Sequence, residues 1–257
     1  MKLRFVLSVI PLVLFCLNNV NAQDPLQGKK KTSLAVDLNQ QGLGLASAGH
    51  INEAVELFKT AIKTAPDFAV PYNNLGASYN ALGRYDEAIV LFKRAIQLDD
   101  KYPEAYYNLG DSFLRLGQYP NAVKAYEQSL HLKPDFSEAQ NSLGVAYNNW
   151  GKCNEAIEAY TAAIRLRPGY PEAYNNLGTV LTEVGKYEEA IACFRQAVEL
   201  KPKWSLPQYN LGVLFLRENN RVGALNQYRT LATMSSSYAE KLYGGIYHGK
   251  VLMVSNK

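Results

Sequence analysis

The chain has 257 residues, 47% of them apolar and 19% charged, with a formal net charge of +4. That apolar share can bury a core, so wholesale disorder is excluded, and the near-neutral balance gives no support to a nucleic-acid or anionic-membrane partner, which calls for a clustered basic patch. Tyrosine is abundant at 18 residues, and its large, low-entropy contact area suits packed helix pairs and binding faces alike.

Lys2 and Arg4 precede an apolar stretch from Phe5 to Leu17, broken only by Ser8 and Pro11, and Val20-Asn21-Ala22 places short residues at cleavage spacing. This is the pattern of a secretory signal peptide over residues 1–22. Thirteen residues at about 1.5 Å each cannot cross a hydrocarbon core of about 30 Å, so no stable membrane span is expected once the signal is removed. Export to a bacterial periplasm or the exterior is therefore expected. Its removal leaves 25 basic and 23 acidic residues, a balance of +2. Phe15 stands before Cys16 where a lipoprotein signal needs a small residue, and no Asn-x-Ser/Thr sequon occurs. Residues 23–34, with Lys29-Lys30-Lys31, read as a flexible leader. Cys153 and Cys193 are too few for a disulfide framework and are expected to be free, mostly buried thiols.

From there the chain repeats. Gly42, Gly76, Gly110, Gly144, Gly178 and Gly212 are spaced 34 residues apart. Leu75, Leu109, Leu143, Leu177 and Leu211 precede them, and Leu45, Tyr79, Phe113, Tyr147, Leu181 and Phe215 follow three positions later. Twelve after each glycine stands Ala54, Ala88, Ala122, Ala156, Ala190 or Ala224; sixteen after it stands Phe58, Phe92, Tyr126, Tyr160, Phe194 or Tyr228. Pro66, Pro134, Pro168 and Pro202 close four units. The Leu-Gly pair and the next aromatic share one face of a first helix, because i, i+3 and i+4 coincide in space. The mid-helix glycine costs about 1 kcal/mol of propensity, which makes sense if it admits a second helix, with the recurring alanine as its small partner. Gly49, Gly83, Gly117, Gly151, Gly185 and, in the sixth unit, Asn219 mark the turn between helices. Pro103 and Pro171 open first helices.

This pattern closely resembles the tetratricopeptide repeat. The resemblance spans residue 35 to about 238 and implies an all-α, right-handed superhelical solenoid of six 34-residue helix-turn-helix units. The units are expected at 35–68, 69–102, 103–136, 137–170, 171–204 and 205–238. Residues 239–257 are expected as a C-terminal cap and tail, the capping helix running from Ser237 to Tyr247 with Tyr238, Leu242 and Tyr243 on one side.

In such solenoids the first helices line a concave surface. Two positions before each glycine stand Gln40, Asn74, Asn108, Ser142, Asn176 and Asn210; one earlier stand Asn39, Asn73, Tyr107, Asn141, Asn175 and Tyr209. Asparagine recurs there against its poor helix propensity. A carboxamide donates and accepts at once, so a ladder of them can hold an extended backbone without reading its sequence. Asn74, Asn108, Asn176 and Asn210 look like the asparagine ladder of the O-GlcNAc transferase superhelix; helix packing is the bland alternative. Asp111, Arg115, Asn148, Glu183 and Arg217 are expected further along the same face. The lysine-rich two-carboxylate clamp of chaperone-binding relatives is not matched. His50, His131 and His248 are dispersed, no phosphate loop appears, and neither cysteine has a histidine at motif spacing, so neither catalysis nor a metal or other cofactor is expected. The resemblance implies a protein-binding scaffold, with a recognition subunit for a separate enzyme or a self-associating structural protein as alternatives.

Overall fold

The structure, a computed structural model, describes residues 25–235 and 237–248, with side chains from residue 30 onward. The expected export signal and the apolar tail after His248 lie outside the described residues. Among the described residues the chain is entirely helical in its regular structure: α1 (Pro25–Ser47), α2 (Ile51–Thr64), α3 (Ala69–Ala81), α4 (Tyr85–Leu98), α5 (Pro103–Arg115), α6 (Tyr119–Leu132), α7 (Ser137–Asn149), α8 (Cys153–Leu166), α9 (Pro171–Glu183), α10 (Tyr187–Leu200), α11 (Ser205–Arg217), α12 (Arg221–Thr233) and α13 (Ser237–His248). The segment expected as a flexible leader is helical from Pro25 and opens α1. Proline is tolerated at a first helical position, and the lysines after it are good helix formers.

Each unit folds as a helix pair because one residue in the left-handed region ends its first helix. Gly49, Gly83, Gly117, Gly151 and Gly185 have φ between 71° and 86°, and Asn219 has φ 57°. The next N–H then turns back onto the helix: Gln118 N–H donates to the Phe113 carbonyl at 2.8 Å and Asn220 N–H to that of Phe215 at 2.7 Å. These bonds satisfy carbonyls that the helix end would orphan.

Packing within a unit follows the repeated small and large residues. All six alanines from Ala54 to Ala224 are fully buried, as are Phe58, Phe92, Tyr126 and Phe194. The close partner of the mid-helix glycine is the ring sixteen residues on, and not the alanine expected. A Cβ on Gly76 would stand 2.6 Å from Phe92 Cε1, and one on Gly110 2.6 Å from Tyr126 Cε1. The ring occupies the volume of the missing side chain. In the sixth unit Leu242 of α13 takes that place, 2.5 Å from a Cβ on Gly212, and Tyr228 is only half-buried. The buried stripe of α13 is Ala239, Leu242 and Ile246, whereas Tyr243, expected on the inner side, is 43% exposed. Residues 242, 246 and 239 span the stripe, and 243 falls at its edge, on the side away from 242.

Each odd-numbered helix touches the next odd-numbered one, whereas no two even-numbered helices meet among the described residues. The odd helices are therefore on the inside of the curve. Where each even helix hands over to the next unit, Lys133, Arg167 and Lys201 pair with Glu104, Glu138 and Glu172 at 3.3, 2.6 and 3.0 Å. The same three cations lie over Phe136, Tyr170 and Trp204, so each clamp joins both helices of a unit to the entry of the next. Exposed pairs of this kind contribute at most about 1 kcal/mol each and serve mainly register. Among the described residues no helix is long and apolar enough to cross a membrane.

Candidate functional site

The asparagines of the first helices lie at the seams between units. Asn74 Nδ2 donates to Asn39 Oδ1 at 2.8 Å, Asn108 Nδ2 to Asn73 Oδ1 at 2.9 Å, Asn176 Nδ2 to Asn141 Oδ1 at 3.1 Å and Asn210 Nδ2 to Asn175 Oδ1 at 3.4 Å. Each rung joins residues 35 positions apart, one unit plus one residue. The ladder expected to face a ligand is thus first a set of inter-helix bonds. Asn73, Asn175, Asn176, Tyr209 and Asn210 are buried, while Asn74, Tyr107, Asn108 and Asn141 are half-buried. Tyr209 stacks on Tyr238 of α13, ring centroids 5.1 Å apart.

The ladder changes character once, between α5 and α7, where Tyr107 and Ser142 stand in place of the asparagines. Here the inner face opens into a depression of about 590 Å³ lined by Tyr107, Asp111, Leu114, Arg115, Tyr119, Ser142, Val145 and Asn149. At its wall the Tyr126 hydroxyl donates to Asp111 Oδ1 at 2.5 Å, and Tyr107 lines the same depression. Tyr107 also packs on Tyr126 and Phe136, with centroids 5.8 and 5.0 Å away, which holds its ring in place.

Burial pushes the Asp111 carboxyl above its ordinary value, against the hydrogen bond from Tyr126 and the charge of Arg115. Burial, then the nearby Asp111 charge, pushes Tyr107 up to about 12. Tyr126 lies well above its ordinary value for the same two reasons in the same order. Both tyrosines are therefore neutral donors at physiological pH. The carboxylate is half-buried and its second oxygen has no partner among the described residues, which makes it a strong acceptor for a further donor. Among the described residues no Lys, Arg or His nitrogen lies within 4.0 Å of it.

Of the residues expected on this face, Tyr107, Asp111 and Arg115 are brought into one depression, with Arg115 exposed. Asn148 is half-buried and does not line it, whereas Glu183 and Arg217 are exposed at the ends of α9 and α11, Arg217 lying over the Tyr187 ring. The sequence reading missed Tyr126, Tyr119, Ser142 and Asn149. A signal for Tyr126 existed: a tyrosine at the ring position needs a partner for its hydroxyl, and of the units with tyrosine there only this one has a polar residue, Asp111, next to its glycine; Val145 and Val213 occupy that place in the others. Elsewhere, Cys153 and Cys193 are free. Burial pushes the Cys193 thiol up to about 11, which leaves little thiolate at neutral pH. His50 is bound to Glu53 at 2.9 Å in the first turn, and His131 and His248 sit in the last turns of α6 and α13.

Family models described as "TPR repeat" match residues 78–117 and 150–185, and models described as "Tetratricopeptide repeat" match residues 103–136, 171–203 and 57–90. Between them they cover more than half of the chain. No curated protein matches the sequence. Among solved structures, MamA is 29% identical with a TM-score of 0.58, the match covering 63% of this chain and 95% of MamA. PilF of Pseudomonas aeruginosa is 17% identical with a TM-score of 0.73, covering 84% and 99%. YrrB, described as a TPR protein with an unusual peptide-binding site, is 23% identical with a TM-score of 0.60, covering 72% and 97%.

Proposed function

The chain belongs to the tetratricopeptide repeat family, and from that premise we propose that it is a non-enzymatic protein-interaction scaffold whose inner face receives a peptide segment or a helix of a partner protein. The observation that carries this reading is the run of odd helices along the inner curve, opening at the α5–α7 depression where the asparagine seam gives way to Tyr107, Asp111 and Ser142. A groove with a few convergent polar groups set in apolar walls is how proteins hold a short ligand. The described peptide-binding site of YrrB is in keeping with this use of the fold. The N-terminal pattern of residues 1–22 supports export, and with it a role in assembly or secretion within the cell envelope.

The test is a pull-down from envelope extract with the full chain as bait, beside two surface variants. Ala77→Arg obstructs the inner face, since Ala77 is the exposed counterpart of Asp111 on α3. Val90→Arg alters the outer face, where Val90 is 67% exposed on α4. A partner retained by Val90→Arg and lost by Ala77→Arg supports the groove. The reverse pattern places the site on the outer face and rejects the reading.

A further inference from the structure

Resting on the scaffold reading, we propose that the α5–α7 depression is a specificity pocket for a lysine or arginine side chain of the bound peptide. It gives an otherwise sequence-tolerant groove one fixed point of register. Four features carry this. First, Asp111 is the only acid lining the depression, and the one cation on that lining, the exposed Arg115, does not pair with it within 4.0 Å and leaves its carboxylate open to an incoming cation. Second, its Oδ1 is already held by the Tyr126 hydroxyl at 2.5 Å, so the carboxylate is oriented before a ligand arrives and an incoming donor does not have to order it. Third, the lining divides into apolar and polar parts that match such a side chain. Leu114 and Val145 can receive an aliphatic stem, while Asp111 and Ser142 offer acceptors to its charged head. Fourth, the volume of about 590 Å³ admits a long side chain.

The other inner-face counterparts lack this chemistry. The position of Asp111 holds Leu43, Ala77, Val145, Thr179 or Val213 in the remaining units, so the peptide would be read once and held elsewhere by non-specific contacts. An acidic side chain is disfavoured by repulsion from Asp111. An apolar one leaves the carboxylate dehydrated and unpaired, which costs more than an exposed charge does.

The experiment uses the full chain to select from a random dodecapeptide phage library, in parallel with Asp111→Asn. Asparagine can still accept the Tyr126 hydroxyl, and matching circular dichroism melts check that the variant folds. The expected result is wild-type binders that share Lys or Arg at one fixed place, and no such preference among binders of Asp111→Asn. A synthetic peptide of the wild-type consensus should bind Asp111→Asn about tenfold more weakly, the strength of a charge-assisted hydrogen bond. With its basic residue changed to Met, it should bind both proteins alike. Binders without a basic preference, or a preference that survives Asp111→Asn, overturn the pocket while leaving the scaffold reading intact. Failure of the wild-type chain to select any peptide overturns both.

Discussion

Adding a methyl group at Gly76 sets two opposed effects against each other. Glycine inside a helix costs about 1 kcal/mol relative to alanine, so Gly76→Ala taken alone would stabilise α3. The new Cβ, however, would lie 2.6 Å from Phe92 Cε1, with Phe92 Cζ and Cδ1 at 2.9 and 3.0 Å. Phe92 is fully buried and has no room to swing away. Overpacking of a tight core costs about 1–3 kcal/mol, and contact with three ring atoms places this site in the upper part of that range. The net effect is a destabilisation of about 1–2 kcal/mol, a fall of roughly 2–8 °C in the melting midpoint for a domain of this size. Gly44→Ala is the control, since a Cβ there meets nothing within 4 Å; it should raise the midpoint by roughly 2–4 °C. Scanning calorimetry of the two variants, and of Gly76→Ala in a Phe92→Leu background, separates the two effects. The smaller side chain of the Phe92→Leu background should relieve the clash and make the alanine neutral or stabilising, a coupling of about 2 kcal/mol. If Gly76→Ala stabilises as Gly44→Ala does, or if its cost persists in the Phe92→Leu background, the ring is not what the glycine accommodates.

Asp111 should leave a mark on the pH dependence of stability. Its folded value lies above its ordinary one of 3.8, so the folded state binds more protons than the unfolded state between the two values. Stability contributed by this group is full below the unfolded value and is lost as pH rises through the folded one. Urea titrations of wild type and Asp111→Asn over that window should show the variant gaining relative to wild type as pH rises, with a constant difference above it; a difference that moves the other way refutes the assignment. At the far end, Leu242 is fully buried over Gly212, and Leu242→Ala should cost about 2–5 kcal/mol. Because each unit of a solenoid contacts only its neighbours, hydrogen exchange should quicken in α11–α13 and stay unchanged in α1–α6. Uniform acceleration along the chain would show that the cap supports the whole array.

The amino-acid sequence by itself determined the architecture, because the helix pair is a local object written six times. The glycines of the turns, the ring that follows each mid-helix glycine and the prolines at helix starts act within one unit, so their physics recurs wherever the pattern does. Contacts between units were decided only by the tertiary structure. Asparagine against its propensity signalled a purpose, yet whether Asn74 and Asn108 faced a ligand or the previous helix depended on how closely the first helices meet; they meet closely enough for Nδ2-to-Oδ1 bonds of 2.8 and 2.9 Å. The same holds for Leu242, which takes the place of Tyr228 at Gly212 because α13 settles against both α11 and α12. It holds above all for Asp111. A charged residue on a helix face reads as solvated surface until a buried tyrosine from the paired helix is found 2.5 Å away, and what sets that carboxylate half-buried in a depression is a relation among α5, α6 and α7 that no single stretch of the chain contains.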